Sequence, residues 1–189
     1  CGLKTSSRGG RDCCRRPCKG RLAKQKVLSG LEMTRRVGAM TDNKDLPFWE
    51  RPLETLNRTE WEALCDGCAR CCQKKLQDED GELWYTRVVC RLLDQQACSC
   101  TAYGNRQVLV PDCLVLDMDV LAKSLDWIPG TCAYKLRYQG KPLPSWHPLL
   151  TGSSEAMQEQ GIKVTGRVLS EEYVHEDGLE EHVIRWVTP

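Results

Sequence analysis

Apolar positions along the chain come in short runs separated by polar turns, and each run predicts a short element. In TEWEALCDGCARCCQKKL (Thr59–Leu76), Trp61 and Leu64 fall at helical spacing. Thr59 with Glu62 has the pattern of a capping box, so a helix is expected to run from there and fade before the acidic turn QDEDGE. LWYTRVV (Leu83–Val89), rich in aromatic and β-branched residues, predicts a strand leading to Cys90. The stretch from Cys90 to Cys113 reads as loop with short strand or helix pieces. Asp117 is expected to cap a helix through Leu125, stopped by WIPG. Thr131 is expected to cap another, CAYKLRYQ, closed by Gly140. Beyond the Pro-rich KPLPSWHPLLTG, a short helix is expected near Glu155–Gln160, with strands near Ile162–Leu169 and His182–Val187. The fold class that follows is α+β: a single small domain over residues 45–189, with short helices and strands organised around a cysteine cluster.

Charge separates this domain from what precedes it. The chain of 189 residues has a net charge of +1, but residues 1–40 hold eleven Lys and Arg against Asp12 and Glu32. That is a net of +9, so the remainder carries −8. Residues 1–39, basic and short of apolar runs, cannot pack a core alone and are expected to be a disordered basic extension upstream of a natural start at Met40. A targeting peptide, a nucleic-acid-binding arm and a lipid-modified Cys1 are weaker readings of the same segment. An acidic body argues against a nucleic-acid surface. No run of about 18 apolar residues is present to span a membrane, and no export signal follows Met40, so a cytoplasmic location is expected.

A reducing compartment changes the meaning of the cysteines, since disulfides are disfavoured there and a cluster points to metal or catalysis. Of 13 cysteines, nine lie between Cys65 and Cys132. They are Cys65, Cys68, Cys71, Cys72, Cys90, Cys98, Cys100, Cys113 and Cys132, and all nine are candidate metal ligands. On a helix, Cys65, Cys68, Cys71 and Cys72 would point to about 0°, 300°, 240° and 340°, one side of the cylinder. Cys65 and Cys72 would nevertheless be about 10.5 Å apart along the axis. Four sulfurs so spread cannot enclose one zinc ion at about 2.3 Å. Either the helix breaks at Gly67, or it supplies pairs to more than one centre; both options recruit the later cysteines. Cys98 and Cys100 would share a face if extended, Cys132 sits near a helix start, and Cys90 and Cys113 flank loops. The C-x2-C-x2-C spacing suits iron–sulfur ligation, whereas all-thiolate zinc uses paired C-x2-C knuckles. The cofactor is therefore an iron–sulfur cluster or zinc. Packed, inert thiols are the alternative.

Several ordered motifs carry a resemblance: LPFWERPLETLNRTEWEALCDGCARCCQKKL, VCRLLD, CSCTAYGNRQVLVPDC, DWIPGTCAYKL and SWHPLLTGS. Together, over residues 46–189, they resemble the bacterial YcgN-like cysteine-cluster family, whose domain is described as zinc- or iron-chelating. The resemblance implies metal chelation by the cysteines. A flagellin lysine methylase with a similar cluster, thought to use an iron–sulfur centre, tilts the implied metal towards iron. Residues 1–39 have no counterpart in the pattern.

Other groups have plainer readings. His147 could be a ligand or support one, but a packed histidine beside Trp146 is the stronger expectation; His175 and His182 are expected in solvent. Asp78, Glu79, Asp80 and Glu82 lack the spacing of a calcium loop. Arg106 and Asp112 could hydrogen-bond backbone or tune sulfur ligands, with structural ion pairing the stronger expectation. No phosphate loop, nucleophile elbow or H-E-x-x-H is present. The expected function is a cytoplasmic metal-binding protein. The alternative is a redox or radical-type enzyme, or electron-transfer partner, using the same centre.

Overall fold

Asn57 opens the first helix. In the computed structural model, which describes residues 45–189, its side chain accepts from Glu60 N at 3.0 Å while Glu60 accepts from Asn57 N, a complete capping box. The box expected at Thr59 and Glu62 thus lies two residues earlier. Helix α1 spans only Arg58–Ala63 and is capped at Leu64, not carried on to Leu76. The reason lies just beyond: Gly67 and Ala69 adopt left-handed backbone, with φ of 69° and 62°. A helix cannot continue through such residues. Cys65–Ala69 are irregular, Arg70–Cys72 make one 3-10 turn, and the polar residues after them enter strand β1, Gln73–Gln77.

The predicted strand is β2, Leu83–Val89, with the expected boundaries. It pairs antiparallel with β1, placing Gln73 opposite Val89 and Gln77 opposite Leu83, with an irregularity between Gln73 and Lys75. Asp78 closes the hairpin: its Oδ1 accepts from Glu82 N at 2.7 Å and its Oδ2 from Trp84 Nε1 at 3.2 Å. These acidic residues therefore make a turn. Tyr85, Thr86, Val88 and Val89 are buried while Arg87 is exposed. Strand β5, Leu169–Ser170, adds to β2 in parallel. The strands expected over Ile162–Leu169 and His182–Val187 reduce to that pair and to one bridge between Thr86 and Val183. Both regions are tied by side chains and isolated backbone bonds, such as Ile184 N to Tyr85 O at 2.8 Å, in place of a ladder.

The cysteine-bearing middle is loop with two-residue strands β3, Leu93–Asp94, and β4, Ser99–Cys100, then helix α2, Arg106–Leu109. Asp117 caps α3, Met118–Lys123, accepting from Val120 N at 2.7 Å; a 3-10 turn, Leu125–Trp127, replaces its expected last turn. Helix α4, Ala133–Tyr138, has Cys132 at its N-cap without a side-chain cap bond, so Thr131 does not cap it. Thr131 is instead used by Arg70. Helices α5, Pro148–Thr151, and α6, Glu155–Glu159, follow. The α+β class expected for the domain is what these elements form. The basic extension expected over residues 1–39 and the start expected at Met40 lie outside the described residues. Among the described residues, no helix is long and apolar enough to cross a membrane.

Three apolar clusters hold the fold, and the cysteine segment seeds each of them. Leu64 joins Leu53, Leu121, Ile128, Ala133, Tyr134 and Leu143. Cys68 joins Trp146 and Met157. Ala69 joins Val89, Leu93, Cys98 and Val164. Burying a side chain the size of Leu64, which has no exposed surface, contributes roughly 1.5–3 kcal/mol. Six consecutive residues, 64–69, thus connect the three clusters found among the described residues, and the segment ending at Pro189 packs on Gly130. Gly130 N donates to Thr188 O at 2.9 Å, and a Cβ on Gly130 would lie 2.9 Å from Pro189 O.

Candidate metal centre

Two left-handed residues two positions apart, Gly67 and Ala69, turn the cysteine segment into a loop. Asp66 Oδ1 accepts from Cys68 N at 3.0 Å, fixing the C-D-G-C turn. Val164 N donates to Cys68 O at 3.2 Å from a remote segment. The buried Arg70 fastens the other end. Its Nε donates to Ile162 O at 2.7 Å, its Nη2 to Gly161 O at 3.0 Å and its Nη1 to Thr131 Oγ1 at 3.3 Å. Arg167 lies 3.7 Å and Arg70 5.7 Å from the Trp186 ring centre, two cations over one aromatic ring beside the loop.

His147, fully buried, supports the loop's entry. Its Nε2 meets Leu64 O at 3.2 Å and its Nδ1 accepts from Leu149 N at 3.1 Å. Both ring nitrogens are satisfied by backbone, which requires the neutral Nε2–H tautomer and leaves no lone pair for a metal. Its ring stacks on Trp146 at 6.2 Å, the packed role expected of it. Arg106 stacks on Tyr103 at 3.7 Å and donates to Tyr103 O at 2.6 Å, a backbone bond in place of an ion pair.

The nine cysteines are free thiols. Cys72 and Cys90 are brought side by side at the end of the hairpin, where Cys90 N donates to Cys72 O at 3.0 Å. Leu93 N turns back on Cys90 O at 3.0 Å, and Leu93 pairs with Cys100 across β3–β4. Arg91 Nη2 reaches Leu109 O at 2.7 Å, bringing in the segment in which Cys113 N donates to Val110 O. Cys132 packs against the cluster that contains Leu64. Cys98 stands apart: buried, with φ of 53°, its sulfur lies 3.0 Å from Thr165 Oγ1. It is outside β4, so it does not share an extended face with Cys100 as expected. Among the described residues, no three His, Cys, Asp and Glu side chains close on a single ion. Rotation of each cysteine about χ1 re-aims its sulfur without moving the backbone.

Charge at the loop is tightly organised. The neighbouring Cys72 thiol lowers Cys71 to about 7 against the opposing effect of burial, and Lys75 adds to the lowering. Cys72 is correspondingly raised, by Cys71 and by burial. Burial is the largest influence on Cys65 and Cys132, each pushed up to about 12, and on Cys68, pushed well up. Cys65 is exposed by area, yet enough protein crowds its sulfur for desolvation to dominate. Lys75 Nζ donates to Cys71 O and Gln73 O, both at 3.1 Å, and lies 5.1 Å from the Tyr85 ring centre. Asp66 Oδ2 is buried with no hydrogen-bond partner among the described residues. Asp66, Arg70 and Lys75 were not picked out from sequence, although the first two stand inside the C-x2-C-x2-C-C motif.

A thiol-rich loop fixed by buried charges defines the class of protein: a metal-chelating cysteine-cluster domain. Residues 64–133 match the CxxCxxCC family, described as "Putative zinc- or iron-chelating domain". A UPF0260 protein of Parvibaculum lavamentivorans is 49% identical over 149 residues, covering 78% of this chain and 96% of the relative. UPF0260 proteins of Pseudomonas putida (48% identical, 75% of this chain, 95% of the relative) and Rhodobacter capsulatus (47%, 77% and 98%) are similar. The chain belongs to the UPF0260 family. No solved structure matches it.

Proposed function

We propose that this is a cytoplasmic metal-binding protein holding an iron–sulfur centre through cysteine thiolates. The observation that carries the reading is the loop Cys65–Cys72, built without regular structure yet fastened by buried side chains. Its sulfurs have later cysteines folded beside them. The donor set fits: thiolates are soft ligands, and an uncompensated carboxylate oxygen and buried cations surround them. A single zinc ion requires four sulfurs in close contact at bonds of about 2.3 Å. A polynuclear cluster, with several irons and bridging sulfides between its ligands, accepts the wider spread seen here. When bound, such a centre supplies rigid cross-links and a redox-active group. The chain's own part is to orient the thiolates by Asp66, Arg70 and His147, and to balance their charge with Arg70 and Lys75.

Anaerobic purification with iron, zinc and acid-labile sulfide analysis tests the reading. Iron accompanied by sulfide is expected. Zinc without sulfide would replace the cluster by a mononuclear site, and a metal-free folded protein would return the thiols to inert packing.

A further inference from the structure

We infer that the cysteines form two separate four-sulfur metal sites, one from Cys65, Cys68, Cys71 and Cys132 and another from Cys72, Cys90, Cys100 and Cys113, with Cys98 in neither. The inference rests on the proposed metal-binding reading and gives that reading its stoichiometry.

The division begins at the adjacent pair. Cys71 and Cys72 stand in a 3-10 turn, where consecutive side chains point about 120° apart. Neighbours so placed, though close enough to act on one another, can each join a different set of partners. Cys72 packs on the sheet side, against the cluster of Val89 and Leu93, and its carbonyl is bonded to Cys90 N at 3.0 Å. From there the route is continuous. Cys90 O accepts from Leu93 N, Leu93 pairs with Cys100, and the Arg91 bond to Leu109 O at 2.7 Å holds the approach to Cys113. The sheet side thus brings together the backbones of four cysteine-bearing segments.

The loop side is assembled by different contacts. Cys132 packs into the cluster of Leu64, the residue before Cys65. Tyr134 Oη donates to Trp61 O at 2.7 Å, and Arg70 Nη1 donates to Thr131 Oγ1, so both flanks of Cys132 are bonded to the flanks of the loop. Cys98 has its sulfur on Thr165 Oγ1 and its surface in the apolar cluster of Val89 and Val164, which leaves it a packed thiol.

The test compares Cys68→Ser, Cys90→Ser and Cys98→Ser in the full chain, after anaerobic reconstitution with iron and sulfide. Serine oxygen is a poor ligand for a soft metal. Cys68→Ser and Cys90→Ser should each keep about half of the wild-type iron and sulfide, the double variant none, and Cys98→Ser all of it. A variant that loses the wild-type far-ultraviolet circular dichroism is replaced by its set partner, Cys132→Ser or Cys113→Ser. Independently of any variant, the reconstituted wild-type chain should carry the iron and sulfide of two clusters. Complete metal loss in both single variants, or the iron and sulfide of one cluster in the wild type, would establish one shared centre and overturn the division while leaving metal binding intact. Half loss in Cys98→Ser would overturn the assignment of the sets. A wild-type chain that takes up neither iron nor zinc would overturn the metal-binding reading itself.

Discussion

The β1–β2 hairpin and the cysteine loop that feeds it are adjacent in sequence and opposite in construction. The hairpin is held by its own ladder, from Gln73 opposite Val89 to Gln77 opposite Leu83, and closed by its own Asp78. The loop has no ladder. Residues far along the chain hold it: Thr131 and Ile162 through Arg70, Val164 at Cys68 O, and His147 at Leu64 O. The hairpin can form from local contacts, whereas the loop acquires its shape only when the rest of the domain has closed around it. Stability within a fold is uneven in this way, and elements with few local bonds open first. A metal centre on the loop would therefore do most for the part of the molecule that has least of its own.

Removing metal should separate the two regions most strongly. Structural metal–thiolate sites contribute on the order of 10 kcal/mol to folding, comparable with the whole stability of a small domain. After chelation, hydrogen exchange at the amides of Leu64–Arg70 should accelerate by about two orders of magnitude or more, about 2.8 kcal/mol of lost protection. Lys75, Trp84 and Tyr85, at the far part of the hairpin, should change less. Equal acceleration in both regions would show that the hairpin depends on the metal as much as the loop does.

The same contrast decides what could be read from the sequence. Strand β2 was legible because a half-buried strand writes its own composition: Tyr85, Val88 and Val89 inside, Arg87 outside. Asp117 was legible as a cap because capping is a local bond. The helix from Thr59 was overrun because Cys65, Cys68, Cys71 and Cys72 fit one helical side, while the break depends on Ala69. A left-handed non-glycine residue costs roughly 1–2 kcal/mol, and nothing local announces it. Ala69 is held there by burial against Val89 and Val164. Gly67 was the readable half of the break. The nine candidate ligands followed from spacing alone, but their company did not. Cys98 looks the same as Cys100 in the sequence, and only the Thr165 contact and its buried position distinguish it. Arg70 was overlooked for a similar reason, since its partners are carbonyls and a hydroxyl 61 to 92 positions away.

Arg70 supplies the next largest effect. Arg70→Met keeps the length of the side chain but leaves Ile162 O and Gly161 O without their donor. Leaving a buried acceptor without its donor costs about 1–3 kcal/mol. Arg70→Lys keeps the charge and loses the planar fork, so it should recover only part of the loss. Urea denaturation with unchanged m-value measures both. The expected order is wild type, then Lys, then Met. A Met variant within about 1 kcal/mol of wild type, the scale of one ordinary hydrogen bond, would show that the loop is not fastened by Arg70.

The smallest expected effect lies in pH, and again falls on the loop. Burial holds His147 below its ordinary value, against the opposing influence of Asp66. Its folded-state pKa is thus lower than its unfolded value of about 6.5. Above that value both states are neutral and stability is unaffected. As pH falls from about 6.5 towards the lowered folded value, the unfolded chain takes up a proton that the folded chain refuses. Stability should therefore decline through that window, by at most about 1.4 kcal/mol per pH unit from this one group. His147→Gln, which has no titrating group but can still donate to Leu64 O, should be less stable at neutral pH and should lack this part of the decline. The measurement is the difference in unfolding free energy between wild type and His147→Gln across pH 7.5 to 5. Thiol and carboxylate titrations common to both proteins cancel in that difference. It should narrow as the pH falls. A difference that stayed constant would mean that His147 titrates alike in the folded and unfolded chain, and that the neutral imidazole between Leu64 and Leu149 is not what holds the entrance of the loop.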